Sequence, residues 1–270
     1  MNEDRSKLLA QRWDDRAEGY DRYFVPRFAP WVATTTTTLL AHPLPPGPIL
    51  VPCCGTFPEL PAIAAAHPES EIVGIDISQG MLARARRRTT AHPRTRLLHG
   101  DALDIYSRWP GTAAAVISVF GLQQLPDPPT ALAGWVSALR PGGVLSVTCW
   151  PDEPENDGPF ALLDAVVNEV IPQTADDADW HLRLSDAVTS AGAEVEHDVP
   201  VAHPIIHPNA EAFWMAMTEG GRLRNLGMSH GETFVAQLRN RFLDRAPAGP
   251  WQHQPTARLI VARMPLGVSG

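Results

Sequence analysis

The stretch ILVPCCGT at residues 49–56, followed by VGIDIS at 73–78 and HGDAL at 99–103, decides how this chain is read. In each, a short apolar run ends in Gly, Pro or Asp, and helical patterning fills the gaps between them. Apolar runs alternating with helices are the mark of βαβ units, which build a parallel sheet. Working outward, strands are expected at 49–52, 71–75, 96–99, 114–119 and 144–150, then at 193–201 and, in RLIVAR, at 258–263. The predicted class is α/β: a seven-stranded, mostly parallel sheet with helices on both faces and an added helical lid.

Before the sheet, residues 7–23 and 29–41 read as two helices separated by a proline-marked break. The Thr34 to Thr38 run falls in the second and is read as an unremarkable surface stretch. After the second strand, Ser78 is a good N-cap for a helix that buries Met81, Leu82 and Ala85 and ends in Arg86, Arg87 and Arg88, on a solvated face suited to the helix dipole. Asp127-Pro-Pro starts another helix, and residues 140–143 (RPGG) make the tight turn into the fifth strand. An acidic, proline-interrupted loop is expected at 151–157, with helices at 159–170, 182–191, 209–219 and 231–245. The whole chain reads as one domain: lid helices at 1–44, a core at 45–150, substrate-lid insertions at 151–192 and 202–250, and closing strands at 193–201 and 258–263.

Bulk properties narrow the function. At 270 residues and 44% hydrophobic content the chain can bury a full core. A net charge of -8 argues against a grip on nucleic-acid phosphates, which takes clustered Lys and Arg. The charged start and the lack of a long apolar run point to a cytoplasmic protein off the membrane. With three cysteines, two of them adjacent, neither a disulfide framework nor zinc-ligand spacing is present. No metal is expected.

In a doubly wound sheet, ligands sit at the carboxyl ends of the strands where the strand order reverses. Small residues at 53–55 let the backbone approach a ligand, and a helix N-terminus directly behind would offer N–H groups to a carboxylate. Asp76, at the end of the second strand, is placed to accept both hydroxyls of a ribose. Asp101, after the third, is placed to take an adenine amino hydrogen, with Ile77 and Met81 on the ring faces. The plainer readings are a helix-preceding cap at Asp76 and a turn former at Asp101. Three loops together address three parts of one nucleoside. A nicotinamide site is disfavoured, because CCGTFP lacks the G-x-G-x-x-G that seats a pyrophosphate.

These motifs, with residues 140–150 (RPGGVLSVTCW) and WDDRAEGYD at 13–21, resemble those of class I S-adenosylmethionine (SAM)-dependent methyltransferases, especially the group that includes ubiquinone and menaquinone methyltransferases. The resemblance covers roughly residues 13–150 and implies a Rossmann-like class I fold and SAM as cofactor, with S-adenosylhomocysteine as product. It implies that Pro52, Cys53, Cys54 and Gly55 line the methionine part, Asp76 holds the ribose, and Asp101 with Ala102 holds the adenine. Val119, Phe120 and Gln124 would lie beside the sulfonium, and Tyr20 would close over the cofactor. Two positions depart from the family. Val51 stands where an acid is usual, and Phe57 replaces a glycine, so Phe57 must either point away or reshape the methionine pocket. These departures motivate an alternative, a SAM-binding protein of divergent or non-methylating function.

Methyl transfer from a sulfonium depends mainly on positioning. If a base is used, Tyr20 and His207 are the chosen candidates, with Tyr23, His181 and His203 also considered. Tyr23, Trp150, Phe213 and Trp214 are expected to wall an apolar substrate pocket, though they could equally be core. The acceptor expected is a small apolar or aromatic metabolite of specialised metabolism, methylated on O, N or C by a monomer or homodimer.

Overall fold

The computed structural model describes residues 3–151, 153, 155–171, 178–221 and 223–267. The sheet strands are β1 (Ile49–Pro52), β2 (Ile72–Asp76), β3 (Thr95–His99), β4 (Ala113–Val119), β5 (Leu139–Cys149), β6 (Glu194–Ala202) and β9 (Thr256–Arg263). They lie in the order β3-β2-β1-β4-β5-β9-β6, with β9 alone antiparallel to its neighbours. Order reverses between β1 and β4, which pair in parallel from Ile49 opposite Ala115. The crevice this opens is where such sheets take ligands.

Central strands read as unbroken apolar runs because helices cover both faces. Along β1, Leu50 packs with Val116 and Leu145 on one face, under α5 (Pro128–Ser137) and α7 (Leu184–Ser190). Ile49 and Val51 turn to the other face, with Leu60 and Ile63 of α2 (Leu60–Ala66) and Leu82 and Ala85 of α3 (Gln79–Thr89). Ser78 caps α3, its hydroxyl accepting from Met81 N–H at 3.0 Å, and Asp127 caps α5. Below β3 lies the single turn α4 (Ile105–Arg108).

A third apolar cluster joins the leading helix α1 (Glu3–Leu40) to α6 (Gly158–Asn168), α8 (Ala210–Glu219), α9 (Leu223–His230) and α10 (Glu232–Arg245). Two expectations are corrected here. First, α1 is one helix of 38 residues running through Pro26 and Pro30. Its aromatic stripe of Phe24, Phe28 and Trp31 is buried, and that packing outweighs the two missing backbone donors. Second, the threonine run is not all surface: Thr35 and Thr36 are buried while Thr37 is exposed, and Thr35 bonds Thr148 on β5 at 2.6 Å, its carbonyl accepting from Ser146. Thr34, Thr35, Thr36 and Thr38 also donate back to the carbonyls four residues earlier, which satisfies their hydroxyl donors within the helix.

Three local readings also change. Residues 140–143 are a bulge inside β5 and not a turn before it, since Leu139 pairs Ala113 and Val144 pairs Ala115. Between α7 and β9, the helix α9 and a two-stranded sheet of β7 (Ile205–His207) and β8 (Trp251–His253) were not anticipated. Of the loop expected at 151–157, residues 152 and 154 lie outside the described residues. No helix among the described residues is long and apolar enough to cross a membrane.

The lid helix meets α8 backbone to backbone. A Cβ on Gly220 would lie 2.4 Å from Tyr20 N, and one on Gly19 would lie 2.7 Å from Gly220 N. Gly220→Ala is therefore expected to lose about 1 to 3 kcal/mol in urea denaturation. An unchanged midpoint would contradict this close approach.

Candidate functional site

The loop after β1 is shaped by residues held in unusual backbone conformations. Cys53 (φ 53°) and Phe57 (φ 64°) lie in the left-handed region, as does Phe120 (φ 59°) after β4. Such geometry is costly for a side chain larger than glycine's and is commonly retained at functional sites. The turn at Phe57 sends its ring into the core beneath β2, where a Cβ on Gly74 would sit 2.7 Å from Phe57 Cε1. Phe57 thus leaves the ligand side altogether. Gly121 makes room for Cys53 in the same way, since a Cβ there would lie 2.4 Å from Cys53 Cβ.

The resulting cleft encloses about 880 Å³, its mouth included. Its walls come from the loop after β1, the end of β2, α3, the turn after β3, the loop after β4 and one face of α1. Asp76 anchors the floor: Oδ2 accepts Gly55 N–H at 2.8 Å and Oδ1 accepts Ser78 N–H at 2.8 Å. Asp101 accepts Leu103 N–H at 3.0 Å and so caps a short helical turn while facing the same cleft. The plain reading holds for Asp101, which starts the turn, whereas the cap of α3 is Ser78 and Asp76 accepts its N–H; both aspartates line the cavity. At Gly55 (φ 52°) a Cβ would meet nothing within 4 Å, so the backbone there borders open space.

Burial dominates the electrostatics. It pushes the Asp76 carboxyl up to about 6 against its two amide bonds, and the Glu59 carboxyl up to about 7 against Arg88. Tyr20 is raised by burial, then by Glu59 and Asp76, so it stays a phenol and is not a base at neutral pH. The Cys53 and Cys54 thiols are likewise raised, by burial and then Asp76.

A second, wide-mouthed space of about 1070 Å³, open solvent included, shares Trp13, Tyr20, Phe28 and Gln124 with the first. Phe24, Trp150 and Phe160 add aromatic wall, and Arg16, Glu153, Glu155 and Asp164 add charge. Trp150 stacks on Phe120 at 4.3 Å with planes 4° apart, and Phe28 meets Phe120 edge-on at 5.0 Å. Behind Glu155 runs a buried relay. Tyr23 Oη donates to His207 Nδ1 (2.8 Å), His207 Nε2 meets His253 Nε2 (3.2 Å), and His253 Nδ1 meets Glu155 Oε2 (3.0 Å). Burial, then His253, depresses His207 to about 3, so it is neutral. With Glu155 ionised, one tautomer set satisfies every link, each donor pointing from Tyr23 toward Glu155.

The structure gathers Tyr20, Cys53, Cys54, Gly55, Asp76, Ile77, Met81, Asp101, Ala102, Val119, Phe120 and Gln124 around the cleft, and Trp150 around the second cavity. It places others elsewhere. Pro52 ends β1 without lining the cleft, and its carbonyl accepts from Ser118 at 2.9 Å. His207 lies in the small sheet, reaching the second cavity only through His253 and Glu155, and Tyr23 bonds His207 without lining either space. Phe213 and Trp214 are 0% and 2% exposed, packed as core against α10. His181 pairs with Glu153 and His203 bonds Thr34, both outside the two cavities. The expected helix N-terminus behind Gly55 is displaced, because α2 starts at Leu60 and Asp76 takes the Gly55 N–H. Arg88 is a strap and not a solvated residue, donating to Thr56 O at 2.7 Å and to Asp21 at 3.0 Å.

Among the residues missed are Phe28 on α1, the pair Thr56 and Glu59, and, in the second cavity, Phe24, Phe160, Glu153, Glu155 and Asp164. Phe28 was legible as one more member of the aromatic stripe. Glu59 gave no signal, being an ordinary charge beside two prolines whose burial follows only from how the loop turns. Among the described residues, no three His, Cys, Asp or Glu side chains gather as a metal site.

Residues 49–143 match the family model described as a methyltransferase domain. A demethylmenaquinone methyltransferase of Bacillus licheniformis is 34% identical over 93 residues, 34% of this chain and 39% of that protein. The chain thus spans about two fifths of the length of this curated relative. Among solved structures, a Bacillus halodurans C-125 protein provisionally assigned as a methyltransferase aligns with a TM-score of 0.58 at 16% identity, covering 87% of this chain and 98% of the other. The cyclase SpnF aligns at 0.51 and 18% identity, covering 87% and 81%. At these identities the structural likeness speaks for the fold.

The raised Glu59 carboxyl has a consequence for stability. Its proton is held more tightly folded than unfolded, so its contribution is present below about 4.5 and is lost as pH rises through about 7. Glu59→Gln, which never ionises, should gain stability relative to the native chain between pH 5 and pH 8, by on the order of 2 kcal/mol. Paired denaturation curves check this, and a constant difference at the two pH values would contradict it.

Proposed function

We propose that this chain, whose residues 49–143 match the methyltransferase-domain model, binds SAM in the deep cleft and transfers its methyl group to an O, N or C atom of a small apolar or aromatic metabolite. The observation that carries the reading is the join between the two cavities. The space bordered by Asp76 and Asp101 shares Trp13, Tyr20, Phe28 and Gln124 as wall with the aromatic-walled one.

The residues fit the cofactor. Asp76 gives one lone pair on each oxygen to a backbone amide and retains capacity for the two ribose hydroxyls. Asp101 and Ala102 would hold the adenine with Ile77 and Met81 on its faces, and Cys53 to Gly55 the methionine part. Val119, Phe120 and Gln124 would border the sulfonium. When bound, SAM supplies a methyl group on a good leaving group, so the chain's own contribution is alignment and exclusion of water.

On the acceptor side, Phe24, Phe28, Trp150 and Phe160 supply flat apolar walls. The carboxylates of Glu153, Glu155 and Asp164 are the proton acceptors there, worth roughly 10²- to 10⁴-fold if the acceptor must lose a proton. His207 acts behind Glu155, holding it through His253. In this reading all 270 residues form one domain, with segments 1–44, 151–192 and 202–250 selecting the acceptor. The net charge of -8 supports a small-molecule acceptor over nucleic acid, and the reading extends to a cytoplasmic monomer or homodimer in specialised metabolism.

The fold hosts more than one chemistry, so binding and turnover need separate tests. Isothermal titration should detect SAM and S-adenosylhomocysteine and not NAD. Methyl-labelled SAM should then transfer label to members of a panel of phenols and aromatic amines. Asp76→Ala should weaken SAM binding by about 1 to 3 kcal/mol through loss of charge-assisted hydrogen bonds. Tight binding with no transfer to any acceptor would favour the non-methylating alternative, although Phe57, half of its motivation, has turned away from the cleft.

A further inference from the structure

The proposed cofactor ends in an α-amino acid, whose ammonium needs an acceptor that Val51, apolar and buried at the end of β1, does not provide. We infer that Glu59, with Thr56 beside it, is the anchor for that ammonium and takes the place of the missing acid. The inference rests on reading the cleft as a SAM site.

Glu59 is 3% exposed and lines the cleft, yet its Oε2 has no hydrogen-bond partner among the described residues. Thr56, three residues earlier on the same loop and 1% exposed, also lines the cleft with its Oγ1 unpartnered. Buried polar atoms are seldom left so, because each forfeits its water without compensation. Two of them on one wall mark where a polar ligand group belongs.

The structural duties open to Glu59 are not performed. It occupies the N-cap position of α2, but its side chain makes no capping bond. Arg88, the cation that bears on it, directs its guanidinium to Thr56 O and Asp21. Burial pushes the Glu59 carboxyl up to about 7 against the lowering pull of its own backbone N–H and of Arg88, and an arriving ammonium would oppose that rise. The carboxylate and the hydroxyl together match an ammonium, whose three N–H groups need acceptors. They offer nothing to a ligand that ends at the ribose.

Two probes separate this role from general upkeep of the cleft: S-adenosylhomocysteine, which carries the amino-acid end, and 5′-methylthioadenosine, which keeps the adenosyl group and lacks it. In titration calorimetry on the full chain, Glu59→Gln should lower affinity for the first about ten- to hundredfold and leave the second within about twofold. Thr56→Val, close in shape, should show a smaller loss of about three- to tenfold, again for the first probe alone. Equal losses for both probes, or unchanged affinity of both variants for S-adenosylhomocysteine, would overturn the assignment while leaving the cofactor reading intact. If the native chain bound neither probe, both would fall together.

Discussion

Two backbone amides, Gly55 N–H and Ser78 N–H, converge on the Asp76 carboxylate, and the arrangement of the cleft depends on that meeting. One bond pins the loop after β1 to the end of β2, and the other sets the start of α3. Ser78 then donates to Asp14 of α1 at 2.6 Å, while Asp14 also accepts Gly80 N–H at 2.7 Å, so the lid helix is tied to the same point. A carboxylate this buried is disfavoured as an anion, and its raised pKa of about 6 records how far two amides fall short of bulk water. Ligand hydroxyls would complete its solvation.

Strain and unmet polarity gather on the same walls. Cys53 and Phe120 hold left-handed backbone on opposite sides of the strand reversal, and Glu59 and Thr56 hold buried atoms without partners. Each costs the folded chain something that a more stable sequence would avoid. In the supporting layers several buried polar groups are paired: Thr35 meets Thr148, Trp31 donates to Val201 O, and the Tyr23–His207–His253–Glu155 chain has a partner at every link.

What the sequence disclosed, and what it hid, follows from the range of the forces involved. Strands buried on both faces must be apolar throughout, so β1 was legible to the residue and β2, β4 and β9 within a residue or two. Caps are local, hence Ser78 and Asp127 were legible as well. The order of Asp76 and Asp101 along the chain was enough to bring both to one cleft. Long-range packing was not legible. Whether α1 breaks at Pro26 depends on what its aromatic stripe finds above the sheet, and whether Phe57 obstructs the cleft depends on Gly74, seventeen residues away. Three-residue strands carry no period, so β7 and β8, and with them the setting of His207, could not be seen. Glu59 shows the same limit, since burial without a partner is a property of the folded loop.

The most direct test is a crystal structure with S-adenosylhomocysteine. The expected result is one nucleoside in the cleft, its ribose on Asp76, its adenine by Asp101, its amino-acid end at Glu59 and its sulfur toward the space walled by Phe28 and Trp150. A ligand bound away from Asp76 and Asp101, or contacting only one of them, would contradict the convergence of the three strand ends on a single adenosyl group.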